Sequence, residues 1–118
     1  MSDSIERLFK ACQASDGDPA LSRTAKLRQE GLPKMAKKVA EEAAEVAIEA
    51  VTGAREALIL ESADLIYNLV VLWSATDVTP QDVFDEMDRR ERLYGIAQKL
   101  PKNDQSKSAA ATKSPTDL

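Results

Sequence analysis

Histidine is missing from this chain of 118 residues, and cysteine occurs once, at Cys12. Without imidazole, the usual zinc ligand sets and any Ser-His-Asp triad are excluded. A lone cysteine forms no intramolecular disulfide, which fits a reducing compartment. With no histidine to activate it, Cys12 reads as an inert helix residue. Aromatic residues make up only 4%, and glycine and proline number 4 and 5, a scarcity that favours helices over a sheet. Excess positive charge is lacking too. Sixteen basic residues face 20 acidic ones, for a net charge of −4, so no basic surface for nucleic acid is expected. Uncharged apolar runs never reach the length of a membrane span, because Glu61 and Asp64 interrupt the one candidate. The opening residues MSDSIERLFK lack the apolar region of a signal peptide, so a cytoplasmic protein without a membrane anchor is expected.

What is present is apolar content of 43%, enough for one core. Ser4 to about Ala14 reads as a short amphipathic helix with Ile5, Leu8, Phe9 and Cys12 on one side. The turn residues SDGDP, from Ser15, end it. A further turn or two of helix fits Ser22 to Gln29, stopped by Gly31 and Pro33. Pro33 to Thr52 is strongly helical and closes on Gly53 as a C-terminal cap. A second long helix is expected from about Ala54 to Ala75. A third follows, with Thr79 as cap and Pro80 at its first position, and runs to about Tyr94. The expected fold is all-α, with residues 1–100 as the domain and 101–118, short of large apolar residues, as a disordered tail. The two long helices form a hairpin, and pairing with a second copy would complete a four-helix core.

Two acidic stretches stand out on that hairpin. On the first long helix, Val39, Ala43, Val46, Ala47 and Ala50 gather as a packing stripe. Glu42, Glu45 and Glu49 gather beside it, with Glu41 a little further round. On the second, Glu61, Asp64 and Asn68 fall within about 60° of one another. Ile59, Leu60, Leu65, Ile66, Val70, Val71, Leu72 and Trp73 cover the rest, the pattern of a buried helix whose acids need partners. Two carboxylates about 4 Å apart repel by roughly 4 kcal/mol at an effective dielectric of 20. Lys34, Lys37 and Lys38 could relieve some of this as an ion-pair network. Mg²⁺ or Mn²⁺ relieves it better, because hard divalent cations take oxygen ligands. Glu42, Glu45, Glu61 and Asp64 are the expected metal ligands.

The motif Glu41-Glu42-Ala43-Ala44-Glu45 followed by Glu61-Ser62-Ala63-Asp64 is an EExxE…ExxD pattern. With KKVAEEAAEV, ESADLIYNLVVLW and SRTAKLRQEGLPKMAKK around it, the chain resembles the phosphoribosyl-ATP pyrophosphohydrolase family. That family lies within the all-α, MazG-like pyrophosphohydrolases. The resemblance covers roughly Ile5 to Leu93 and departs from the family at two places. Ala40 stands where glycine is usual after KKV, and Asn68 where histidine is usual in the string DLLYHL.

The resemblance implies a homodimeric enzyme of histidine biosynthesis. It would hydrolyse phosphoribosyl-ATP between its α and β phosphates to phosphoribosyl-AMP and pyrophosphate. Phosphoryl transfer of this kind rests on positioning and charge stabilisation, which a chain without histidine can supply. Glu41, Glu42 and Glu45 are the expected catalytic acids, with Glu41 placed to orient water. Lys37, Lys38, Asn68 and Arg23 are expected on the substrate, with Lys26 and Arg28 behind them. RRER, from Arg89, reads first as a solvated helix end, with a phosphate-binding role as the alternative. Two alternatives keep the helical frame: a house-cleaning enzyme for dCTP- or dUTP-type nucleotides, and a non-catalytic dimeric bundle that binds a partner.

Overall fold

The computed structural model describes residues 3–14, 17 and 22–95, and the expected turn at SDGDP and the tail from 101 lie largely or wholly outside them. Among the described residues every regular element is an α-helix. The helices are α1 (Ser4–Gln13), α2 (Arg23–Glu30), α3 (Leu32–Thr52), α4 (Arg55–Ala75) and α5 (Pro80–Tyr94). The chain divides into two compact units, Met1–Pro80 and Gln81–Leu118.

Local chemistry sets the boundaries in the first unit. Ser22 caps α2 by accepting a hydrogen bond from the Ala25 amide at 3.1 Å. Gly31, with φ of +100°, ends α2 and starts α3, its carbonyl accepting from the Met35 amide at 3.2 Å. Pro33 sits in the first turn of α3, where its missing N–H costs nothing. At the other end Gly53 takes the left-handed conformation, φ +79°, and donates to Glu49 O at 3.1 Å. The Ala54 amide then reaches the same carbonyl at 3.3 Å, so two successive amides close the helix. With only Gly53 and Ala54 between them, α3 and α4 fold back on each other as a hairpin, the largest helix contact in the unit.

The core sits where α1 and α2 cover the open end of this hairpin. Phe9 and Cys12 of α1, Leu27 of α2, Met35 of α3 and Val70 and Val71 of α4 are buried together. Ile5, Leu8, Tyr67, Leu72 and Trp73 flank them. The face that α3 turns inward differs from the sequence expectation. Val39 and Val46 are half-buried as expected, but Ala43, Ala47 and Ala50 are exposed, while Glu42 and Glu49 are half-buried. Alanine offers so little surface that the larger Met35, Val39 and Val46, with the stems of Glu42 and Glu49, decide the rotation.

A second correction concerns α4, which is not apolar and buried all round. Its C-terminal half is in the core, but Leu60 is 66% exposed, and Ile59 and Ile66 are exposed beside it. On α3, Ala40, Ile48 and Val51 are exposed as well, Val51 at 87%. By length and composition α4 could also cross a membrane, but Glu61 and Asp64 lie in its middle and it packs along α3.

The second unit holds α5, which enters on Pro80 at its first position. Arg89 and Arg90 both bind Glu86, at 3.0 and 2.9 Å, and this pulls the Glu86 carboxyl down to about 2. Two arginines of RRER are thus turned to their own helix, as a solvated helix end would have them.

Candidate metal centre

The hairpin register brings acids from both arms to one place. Glu61 and Asp64 are one turn apart on α4, and Glu42 faces them from α3. One carboxylate oxygen from each of Glu42, Glu61 and Asp64 lies within 4.8 Å of the others, and all three residues are half-buried. Glu61 carries the strain of this crowding. A hydrogen bond with the Glu42 carboxyl, partial burial, and the charges of Glu45, Glu42 and Asp64 push its pKa up to about 7.

Partners are unevenly shared. Lys38 lies 3.7 Å from Glu41 and 3.7 Å from Glu42, and Lys37 lies 3.9 Å from Glu41. Among the described residues no basic side chain pairs with Glu45, Glu61 or Asp64, so a lysine network answers only the α3 edge of the cluster. Glu42 Oε1 is buried and has no hydrogen-bond partner there. Three converging carboxylates with an unpartnered inner oxygen suit a hard divalent cation, whose ligands are oxygens.

The sequence-expected residues separate into groups. Glu42, Glu61 and Asp64 come together; Glu45 is exposed just outside, near enough for its charge to act on Glu61. Glu41 is exposed and engaged with Lys37 and Lys38. Asn68 departs most from expectation. It is only 1% exposed, and its Nδ2 donates to the Asp64 carbonyl at 2.8 Å, so it braces the α4 backbone beneath the cluster. Arg23 lies over the Tyr67 ring, 4.6 Å from its centroid. Arg28 is taken by Ser74 at 2.6 Å, and that hydroxyl donates onward to Val71 O. Sequence reasoning missed Thr24 and Tyr67, whose hydroxyls are 2.5 Å apart and tie α2 to α4. Tyr67, one turn past Asp64, carried a weak signal, whereas Thr24 carried none without the fold.

A helical hairpin that gathers an EExxE arm and an ExxD arm around shared carboxylates defines the class of all-α, MazG-like pyrophosphohydrolases. Comparison with known proteins narrows this. The profile of the phosphoribosyl-ATP pyrophosphohydrolase family matches residues 3–91, and the chain belongs to that family. It is 60% identical to phosphoribosyl-ATP pyrophosphatase 2 of Rhodopseudomonas palustris, over 98% of this chain and 90% of that protein. With phosphoribosyl-ATP pyrophosphatase 2 of Bradyrhizobium diazoefficiens it is 61% identical, over 87% of this chain and 78% of the other. With phosphoribosyl-ATP pyrophosphatase of Azospirillum brasilense it is 47% identical, over 80% and 86%.

Proposed function

We propose that this chain hydrolyses phosphoribosyl-ATP between the α and β phosphates, giving phosphoribosyl-AMP and pyrophosphate for histidine biosynthesis in the cytoplasm. The observation that carries the reading is the meeting of Glu42, Glu61 and Asp64 across the hairpin of a chain belonging to this family. These three residues, joined by Glu45 from the rim, would hold Mg²⁺ or Mn²⁺. Bound there, the cation supplies charge neutralisation for phosphate oxygens and acidity for an attacking water.

The side chains around it do the rest. Glu45, exposed and without a basic partner among the described residues, is placed to hold the water and accept its proton. Glu41 keeps Lys37 and Lys38 on the same edge of α3, where both ammonium groups can take charge from the departing pyrophosphate. This gives Glu41 the task of placing cations, in place of the expected one of orienting water. Asn68 fixes the turn of α4 that carries Asp64 and leaves substrate contact to others.

A homodimer belongs to this reading. Leu60 and Ile66 on α4, with Ile48 and Val51 on α3, form exposed apolar faces on the hairpin that a second copy would cover.

The test is pyrophosphate release from phosphoribosyl-ATP and from each common nucleoside triphosphate, with Mg²⁺ and with a chelator. Phosphoribosyl-ATP should be preferred, and Asp64→Asn should lower kcat by about a hundredfold. Preference for a free triphosphate would overturn the substrate, and undiminished turnover by Asp64→Asn would overturn the site.

A further inference from the structure

Arg23 is the guanidinium whose setting the proposed chemistry leaves unexplained. Arg7, Arg55, Arg89 and Arg90 are each paired with a carboxylate, from Asp3, Glu56 and Glu86, and Arg28 with the Ser74 hydroxyl, while Arg92 is exposed on α5, in the second unit. Arg23 has no acidic partner among the described residues, in a chain where acids outnumber bases by 20 to 16. It lies instead across the face of Tyr67, at 4.6 Å. Arg23 is exposed and its N–H groups make no hydrogen bond among the described residues, so they remain for a phosphate, which guanidinium binds in bidentate fashion.

The stack is anchored from both sides. The Tyr67 hydroxyl and Thr24 Oγ1 are 2.5 Å apart, joining residues 43 positions apart in the chain. Ser22 fixes the start of the same helix through the Ala25 amide. Tyr67 follows Asp64 by three residues, so it stands about 4.5 Å further along α4 and some 60° round from it. The backbone of α2 is therefore tied to α4 at the turn next to the acid cluster, and the guanidinium is laid down there.

We infer that Arg23 binds a phosphate of the substrate beyond those held at the carboxylates, and that Tyr67 and Thr24 are positioning residues that hold it there. This rests on the pyrophosphohydrolase reading of the site. Two substrate groups share the required chemistry: the terminal phosphate of the triphosphate and the 5′-phosphate on the ribosyl group that distinguishes phosphoribosyl-ATP from ATP.

The experiment uses the full chain with Mg²⁺ and the variants Arg23→Leu, Tyr67→Phe, Thr24→Val and Tyr67→Leu. Arg23→Leu should raise KM for phosphoribosyl-ATP about tenfold with kcat changed less than about twofold. Tyr67→Phe and Thr24→Val each delete the same hydroxyl contact, and each should raise KM about threefold with their double variant no worse than either alone. Tyr67→Leu should match Arg23→Leu and add nothing to it. Calorimetric binding of inorganic pyrophosphate then separates the sources. Weakened binding by Arg23→Leu assigns the triphosphate end; unchanged binding, with KM raised for phosphoribosyl-ATP but not for ATP, assigns the ribosyl phosphate. Both outcomes support the inference. Unchanged KM and unchanged pyrophosphate binding in Arg23→Leu overturn it. A KM effect of Tyr67→Phe that persists in full on the Arg23→Leu background overturns the positioning roles, leaving Tyr67 a packing residue. A wild-type chain inactive on phosphoribosyl-ATP would refute the function, while pyrophosphate binding would still judge Arg23.

Discussion

Glu42 and Glu61 reach across the two arms of the hairpin with carboxylate oxygens within 4.8 Å of each other, and the Glu42 carboxyl is the first cause that keeps a proton on Glu61 up to about pH 7. The pair is set to exchange that proton for a cation. Metal affinity should therefore fall below pH 7, approaching about tenfold per pH unit. Titration of the intact protein with Mn²⁺ between pH 8 and pH 5.5 measures this, and an affinity independent of pH would contradict it.

Without metal, the same group makes stability run the other way. Glu61 holds its proton more tightly in the folded chain, at about 7, than at its ordinary 4.5. Its contribution is complete below about pH 4.5 and disappears as pH rises through 7. Melting temperatures in chelator at pH 5.5 and pH 8, compared with those of Glu61→Gln, isolate it. The variant should gain relative to wild type at pH 8 and lose the stabilisation that Mg²⁺ confers.

In the homodimer proposed above, Leu60→Asp should break the contact between copies and leave a monomer. The side chain is 66% exposed in the isolated chain, so a charge there disturbs nothing within one copy. Light scattering across a concentration series reads the result. An unchanged mass would place the partner surface elsewhere.

Gly53→Ala tests the turn. Added at Gly53, a Cβ would meet nothing within 4 Å, so only the left-handed backbone, φ +79°, opposes it. Urea unfolding should show a loss of about 1 kcal/mol. A much larger loss would reveal crowding at this position.

Cys12 should resist alkylation in the native protein and react fully once unfolded. It is 1% exposed, and burial raises its thiol pKa, with Arg28 only partly offsetting this. Mass spectrometry after iodoacetamide treatment at pH 8 decides the matter.

Helix ends were legible in the sequence because their causes are local. Gly53 and Pro80 fall where a cap and a first turn need them, and the boundaries of α3 and α4 lie within one residue of expectation. The approach of Glu42 to Glu61 and Asp64 was legible too, since a tight turn between helices leaves little freedom in how acids one turn apart can face. Rotational phase was harder. Nothing in the composition of α3 favoured Glu42 over Ala43 as the inward residue, and only the larger neighbours decided it. Asn68 looked like part of the open acidic side because a wheel gives angle and not depth. Thr24 and Tyr67 meet through tertiary packing alone, which no periodicity encodes.

The two-residue link between the long helices sets more than topology. Glu42 precedes Gly53 by eleven positions and Asp64 follows it by eleven, so the acids meet about 16 Å from the bend that aligns them. One residue inserted at the bend would change the rotation and height at which α4 meets α3, each residue of helix being worth about 100°. Both helices could still form, yet the oxygens would no longer converge. Loop length at Gly53 thus works as the timing of a gear train, and natural variation in this family should tolerate substitutions at the bend far better than changes in its length.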